Sequence, residues 1–314
     1  MKIKLIIPYF GKLPGYFEFF LKSCEINTEI EYLIFTDQGK LPKCPPNVVV
    51  LHLTFTEFKQ LAQRKLSLNE RSMKALTPYK LCDYKPTYGI LFEDHLKDSD
   101  FWGFCDVDLI FGKIFDTLSL EKMSQSERIL TQGHLTMYKN CERMNRLYEE
   151  DVEGGINFRK AIEIKEPCFF DEIFMPFICK RKNVIQYGQN IFADILPQYG
   201  NFVIAPLCAI ENQEKQSFYW ENGKLYREYA GKQDELMYIH LQKRPLPYTN
   251  GLVNHAGKIY ITPQGFFTED NYTEDCERPD ETQVQKYQKK RWLALTPRKV
   301  WIKLKVRKFK EQLK

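Results

Sequence analysis

Apolar positions in the first 115 residues alternate between short continuous runs and helical spacing. Lys2–Ile7 is a short apolar run leading into Pro8-Tyr9-Phe10-Gly11, and predicts a first strand. Phe17, Phe20, Leu21 and Cys24 recur at helical spacing and predict a helix over Tyr16–Cys24. Glu31–Phe35 reads as a second strand ending in Thr36-Asp37, and the Val-rich Asn47–Leu53 as a third. Phe55, Phe58, Leu61 and Ala62 share one face of a helix over Phe55–Leu66. Tyr79–Leu96 predicts two short helices separated by Pro86 and Gly89. An aromatic strand follows and closes on Asp106-Val107-Asp108. Strands alternating with helices imply an α/β fold: an open, mainly parallel sheet with flanking helices, binding its ligand at the carboxyl ends of the strands. Pro8–Gly11, Asp37, Asp106 and Asp108 all fall at such ends.

The second half is less regular. Arg128–Leu130 and Leu135–Tyr138 read as strands around Gly133-His134. Cys168–Ile178 reads as a short buried helix carrying Asp171 and Glu172. Phe218–Tyr229 and Lys258–Thr262 read as strands flanking the turns Asn222-Gly223 and Gln264-Gly265. Phe267–Glu281 is polar and acidic, which predicts a surface loop.

The Asp-x-Asp pair is the sharpest chemical signal. Strand side chains alternate, so positions 106 and 108 would point the same way. Two like charges on one face repel, and desolvated carboxylates are costly without a partner. A divalent cation such as Mg²⁺ or Mn²⁺ resolves both problems, because these ions take hard oxygen ligands. Such a site can hold a nucleoside diphosphate. Two solvated aspartates at a strand-to-loop turn are the alternative.

Composition removes several classes. The chain of 314 residues has room for one large α/β domain with an appendage, or two small domains. No apolar run is long enough to cross a membrane, and the N-terminal run reads as a strand rather than a signal peptide. Nine cysteines occur without a Cys-x-x-Cys pair, which argues against a thiolate zinc site and a disulfide framework and for a reducing compartment. The net charge of +5 hides an asymmetry. Residues 286–314 hold twelve Lys or Arg against Glu311, or +11, which leaves 34 basic and 40 acidic residues, or −6, elsewhere. Basic charge confined to a tail argues against a nucleic-acid partner. Within that tail Thr296-Pro297 is a good helix start, and Ile302, Val306, Phe309 and Leu313 then share one helical face. A basic amphipathic helix with Trp292 and Trp301 suits an anionic membrane surface; packing on the body is the alternative.

Seven blocks in order resemble a bacterial family of predicted glycosyltransferases (DUF6625-like) from capsule, exopolysaccharide and lipopolysaccharide clusters. They are residues 7–11, 35–37, 78–86, 101–108, 133–140, 170–172 and 238–244. The family is similar to the GT-A class, which uses nucleotide-sugar donors and a metal held by Asp-x-Asp. The resemblance implies a GT-A-like domain over residues 1–265, with a nucleotide-binding half (1–115) and an acceptor-binding half (116–265). An acidic surface loop (266–285) and the basic tail (286–314) would follow.

Carried over by position, the resemblance implies that Asp106, Asp108 and His240 hold Mn²⁺ or Mg²⁺. Asp106 would also touch the donor, with Pro8, Tyr9, Phe10 and Gly11 under the base and ribose and Asp37 against the nucleobase. Lys80 and Asp83 would contact the donor sugar, and Lys243 and Arg244 the diphosphate. Gly133 and His134 would belong to the acceptor side. Asp171 or Glu172 would be the catalytic base of an inverting enzyme, with Asp171 preferred. For His240 the alternative is a hydrogen-bonded structural histidine, and for Lys80 and Asp83 an internal pair. The implied function is transfer of a sugar to a lipid-linked glycan acceptor, in the cytoplasm at the inner face of the cell membrane. A nucleotidyltransferase is the competing enzyme, although Pro8–Gly11 is no Gly-rich, Lys-bearing phosphate loop. A non-catalytic sugar- or lipid-surface binding protein is the competing non-enzyme.

Overall fold

The structure, a computed structural model, describes residues 1–188, 191–196, 200–202, 204, 215–242, 244–293, 301–302 and 309. The first strands form as the apolar pattern predicts: β1 (Ile3–Pro8), β2 (Ile30–Thr36), β3 (Val48–His52) and β4 (Phe101–Cys105). Next come β5 (Leu109–Phe111), β6 (Arg128–Gln132), β7 (Leu135–Lys139) and β8 (Gln186–Tyr187). Seven of these eight build one sheet in the order β3-β2-β1-β4-β7-β6-β8. β1 pairs in parallel with both β2 and β4, β2 with β3, and β6 with β8, while β4–β7 and β6–β7 are antiparallel. The sheet is therefore mixed, with four parallel pairings and two antiparallel ones, both made by β7, because Gly133-His134 turns the chain back in a hairpin instead of crossing over.

Side-chain alternation sorts the two faces of the sheet. Ile3, Leu5 and Ile7 share one core with Phe17, Phe20 and Leu21 of helix α1 (Phe17–Glu25). Ile6, Leu33, Phe35 and Phe104 share the other with Phe58 and Ala62 of helix α2 (Phe55–Leu66). α2 starts on a full capping box, in which Thr54 and Glu57 satisfy each other's backbone N–H groups. Pro78–Thr87 is a single 3₁₀ run that contains Pro86, so Pro86 does not divide two helices. Gly89 lies inside the helical turn Tyr88–Leu91, and its reason is packing: a Cβ there would sit 2.5 Å from the Trp102 ring.

Two smaller sheets complete the chain. β9 (Ala193–Asp194), β10 (Gln216–Glu221), β11 (Lys224–Tyr229), β12 (Lys232–Leu236), β13 (Tyr238–His240), β14 (Ile259–Thr262) and β15 (Gly265–Thr268) supply them. One is antiparallel in the order β12-β11-β10-β14-β15, and the other joins β5-β13-β9. The β10–β11 turn has Asn222 and Gly223 at φ 51° and 83°, the left-handed pair that Asn-Gly favours.

The expected loop over 266–285 is only partly a loop. Residues 266–268 belong to β15, Glu274–Glu277 is a 3₁₀ turn, and a helix runs over Glu281–Leu293. Thr296, Pro297, Val306 and Leu313 lie outside the described residues. Ile302 and Phe309 are buried, and the Phe309 ring packs on Phe174 and Phe177 at 5.2 and 4.8 Å. Among the described residues no helix is long and apolar enough to cross a membrane.

Candidate metal centre and cleft

The Asp-x-Asp segment is where the chain leaves one sheet for another. Asp106 follows the last residue of β4, and its N–H donates to the His134 carbonyl at 3.0 Å. Asp108 precedes β5, and its carbonyl accepts the Leu241 N–H at 2.9 Å. The two carboxylates therefore meet across a turn, not along one continuous strand. β5 pairs with β13, which sets Leu109 opposite His240. His240 Nε2 comes to 3.5 Å from Asp108 Oδ1, and ligand atoms of Asp106, Asp108 and His240 all lie within 4.8 Å of one another. β13 also pairs with β9, so Asp194 stands opposite His240 and its Oδ1 lies 2.8 Å from His240 Nδ1. His134, Asp194 and His240 form a second close group that shares His240.

Lys85 ties the centre together. Its ammonium donates to Asp106 Oδ1 and to the Gly133 carbonyl, both at 2.6 Å, and stands 3.9 Å from Asp171 Oδ2. Burial opposes its charge, but the Asp106 and Asp171 carboxylates outweigh burial and hold its pKa above the usual lysine range. Asp171 is 2% exposed, and burial pushes its pKa well up against the opposing pull of Lys85. For His240, burial disfavours the proton, yet Asp108 and Asp194 overcome it and raise its pKa to about 10. His134 goes the other way: burial and the neighbouring His240 hold its pKa well below 6.5. It stays neutral, with Nε2 2.9 Å from the Tyr238 hydroxyl.

A cleft of about 730 Å³ opens beside this centre at the carboxyl ends of β1 and β4. Asp106, Asp108 and Lys85 line one side, and Arg244 and Pro8–Phe10 line others. The Arg244 guanidinium stacks 5.1 Å over the Phe202 ring and donates to the Leu196 carbonyl.

Several expected residues stand elsewhere. Lys80 and Asp83 are fully buried and do not line the cleft. They pair at 2.6 Å, Lys80 donates to the Glu166 carbonyl, and Asp83 accepts the N–H groups of Cys168 and Phe170. The pair thus pins the segment that introduces Asp171 and Glu172, which corrects the expected donor contact. Gly11 and Asp37 are exposed at the same sheet edge but outside the cleft lining. Gly133 and His134 are buried, where the Gly133 carbonyl accepts from Lys85 and the His134 ring lies 4.3 Å from that of His240. Lys243 lies outside the described residues.

Asp171 is too buried to face a substrate. Glu172, on the irregular helical turn Phe170–Phe174, is exposed. A Cβ at Gly133 would fall 2.3 Å from Glu172 Cγ, so the glycine makes room for that side chain. Desolvation raises the Glu172 pKa, with Lys85 opposing and Asp106 adding to the rise. Sequence reasoning passed over Lys85 and Asp194. Lys85 stood inside the 78–86 block, and Asp194 ends the apolar Ile191–Ala193, the same acid-in-apolar pattern that marked Asp106.

No curated protein matches the chain. A family model matches residues 5–270, and the chain belongs to that family, described as a family of unknown function (DUF6625).

Proposed function

We propose that the protein is a metal-dependent, GT-A-like glycosyltransferase that uses a nucleotide-sugar donor. The observation that carries this reading is the convergence of Asp106, Asp108 and His240, with the two aspartates also lining a cleft at the carboxyl ends of β1 and β4. The donor set fits the ion: two carboxylates and an imidazole suit Mn²⁺, and the carboxylates suit Mg²⁺. Lys85 occupies Asp106 Oδ1, which leaves the other oxygen for a cation. A bound cation supplies positive charge for a departing diphosphate.

The chain's own residues divide the remaining work. Tyr9 and Phe10 offer a wall for the base and ribose. Lys85 and Arg244 add fixed positive charge along the cleft, which favours the growing charge of the leaving group. Glu172, rather than Asp171, is the candidate to take a proton from an acceptor hydroxyl, since it alone of the two is exposed; it lies outside the cleft lining itself. Its raised pKa brings it closer to working pH, as a general base requires. The acceptor in this reading is a lipid-linked glycan of a bacterial surface polysaccharide, and the basic tail 286–314 brings the enzyme to the anionic inner leaflet.

Calorimetric titration with nucleoside diphosphates, with and without Mn²⁺, tests the donor site. A screen for metal-dependent nucleotide-sugar hydrolysis then identifies the donor. Asp108→Ala should abolish the metal-dependent part of nucleotide binding while the protein stays folded. Metal-independent binding in the wild type, or unchanged Mn²⁺ dependence in the variant, overturns the reading.

A further inference from the structure

His240 touches two carboxylates, one at each ring nitrogen, and the two are not equivalent. Asp108 Oδ1 stands 3.5 Å from Nε2, at the outer limit of a hydrogen bond and well beyond the contact on the other side of the ring. Asp194 Oδ1 stands 2.8 Å from Nδ1, and the same oxygen accepts Gln242 Nε2–H at 2.6 Å. An ionised carboxylate only accepts, so the bond to Asp194 requires a proton on Nδ1. A metal ligated by this ring therefore sits on the Nε2 side, with Asp106 and Asp108.

The clamp is built by the backbone. Parallel pairing of β9 with β13 sets Asp194 beside His240, and the Ile195 N–H closes on the His240 carbonyl at 3.0 Å. Gln242 reaches Asp194 from a left-handed backbone position at φ 52°. The His134 ring lies against the His240 ring at 4.3 Å between centroids and is itself held by Tyr238. The imidazole is thus fixed at Nδ1 and packed on its face, while Nε2 points to the paired aspartates.

Resting on the metal-site reading above, we propose that Asp194 is the positioning residue of the metal centre: it orients His240 and fixes its tautomer, and is not itself a ligand. In His–metal sites such outer carboxylates raise the basicity of the ring and hold its aim. The second close group, His134 with Asp194 and His240, is in this view the support of one centre rather than a second cation site.

The test uses the full chain and Mn²⁺ alone as the probe. Mn²⁺ affinity is measured by electron paramagnetic resonance, and the imidazole nitrogen coupling to bound Mn²⁺ by electron-spin-echo modulation. His240→Ala should abolish the nitrogen coupling and weaken binding. Asp194→Asn, close in shape, should lower affinity by about 10–100-fold and alter the coupling, with the melting temperature little changed. Asp194→Glu should recover part of the affinity, a rescue that a purely structural role would not give. No nitrogen coupling in the wild type sinks the metal-site reading itself. Coupling lost in His240→Ala but intact in Asp194→Asn, with affinity within threefold of wild type, sinks the positioning role alone. A larger loss of affinity with unchanged coupling also overturns it. Should Asp194→Asn fail to fold, Gln242→Leu, which frees the same carboxylate oxygen, must shift the coupling for the proposal to stand.

Discussion

Replacing Lys85 with methionine keeps the length of the side chain and removes its charge. In the folded protein that ammonium is shared among Asp106, Asp171 and the Gly133 carbonyl. Its removal leaves two carboxylates close together with no cation, one of them with a side chain only 1% exposed. Breaking a buried ion pair from one side costs about 3–5 kcal/mol. Two features pull the figure to the lower end. Asp106 is 28% exposed at its side chain, and the Asp171 carboxyl already tends towards its neutral form. A loss of about 3 kcal/mol follows. With an unfolding entropy of about 0.7 kcal/mol/K for a chain of this length, the melting temperature should fall by about 4 °C.

Calorimetry in the absence of metal reads this loss directly. The same variant should bind nucleoside diphosphate more weakly, because Lys85 also lines the cleft. Added Mn²⁺ should restore part of the lost stability, since a cation between Asp106 and Asp108 relieves the same repulsion. A variant as stable as the wild type, with metal stabilising both equally, would refute the claim that Lys85 balances the acidic centre.

Glu172→Gln should lower kcat strongly and leave the donor KM nearly unchanged, because only the transition state loses an interaction; equal transfer rates would remove Glu172 as the base. Glu277 is buried under Tyr272, and burial raises its pKa from 4.5 to about 7, with the Tyr272 hydroxyl and Lys215 opposing. Its contribution to stability is therefore full below pH 4.5 and declines as pH rises to 7, by about 3 kcal/mol; Glu277→Gln should flatten that slope in denaturant titrations, and an unchanged slope contradicts it. The full chain should co-sediment with anionic vesicles and a version ending at Gln285 should not; equal behaviour of the two rules out the tail as the anchor.

Local patterns made the front half of the fold legible. The helix over Phe55–Leu66 has the expected bounds because burial of one face imposes a readable period, and β1 to β3 lie within a residue or two of theirs because they are short, nearly continuous apolar runs. The mixed order of the sheet was not legible, since β4 pairs with β7 by long-range contacts that leave no periodic trace. Asp106 and Asp108 stood out because charged groups closing an apolar run demand a partner, whereas His240 entered only through the resemblance of its block. The resemblance put Lys80 and Asp83 against the donor, but the alternative of an internal pair is what forms: they are held by each other and by the backbone of residues 166–170.

That contrast separates a structural pair from a site. Lys80 and Asp83 are fully buried, and each makes backbone hydrogen bonds as well as the ion pair, so nothing in their surroundings calls for a ligand. Around Asp106 and Asp108 the account does not close in the same way. Lys85 spans two carboxylates, His240 stands between two more, and Asp106, Asp108 and Lys85 open onto a cleft rather than onto packed side chains. A cluster held at such charge imbalance costs stability that an apolar replacement would not. It sits where β4 of one sheet gives way to β5 of another, with Asp194 and His134 packed beside His240. Folding stability alone gives no reason for that arrangement; the cation and charged ligand proposed above would supply one.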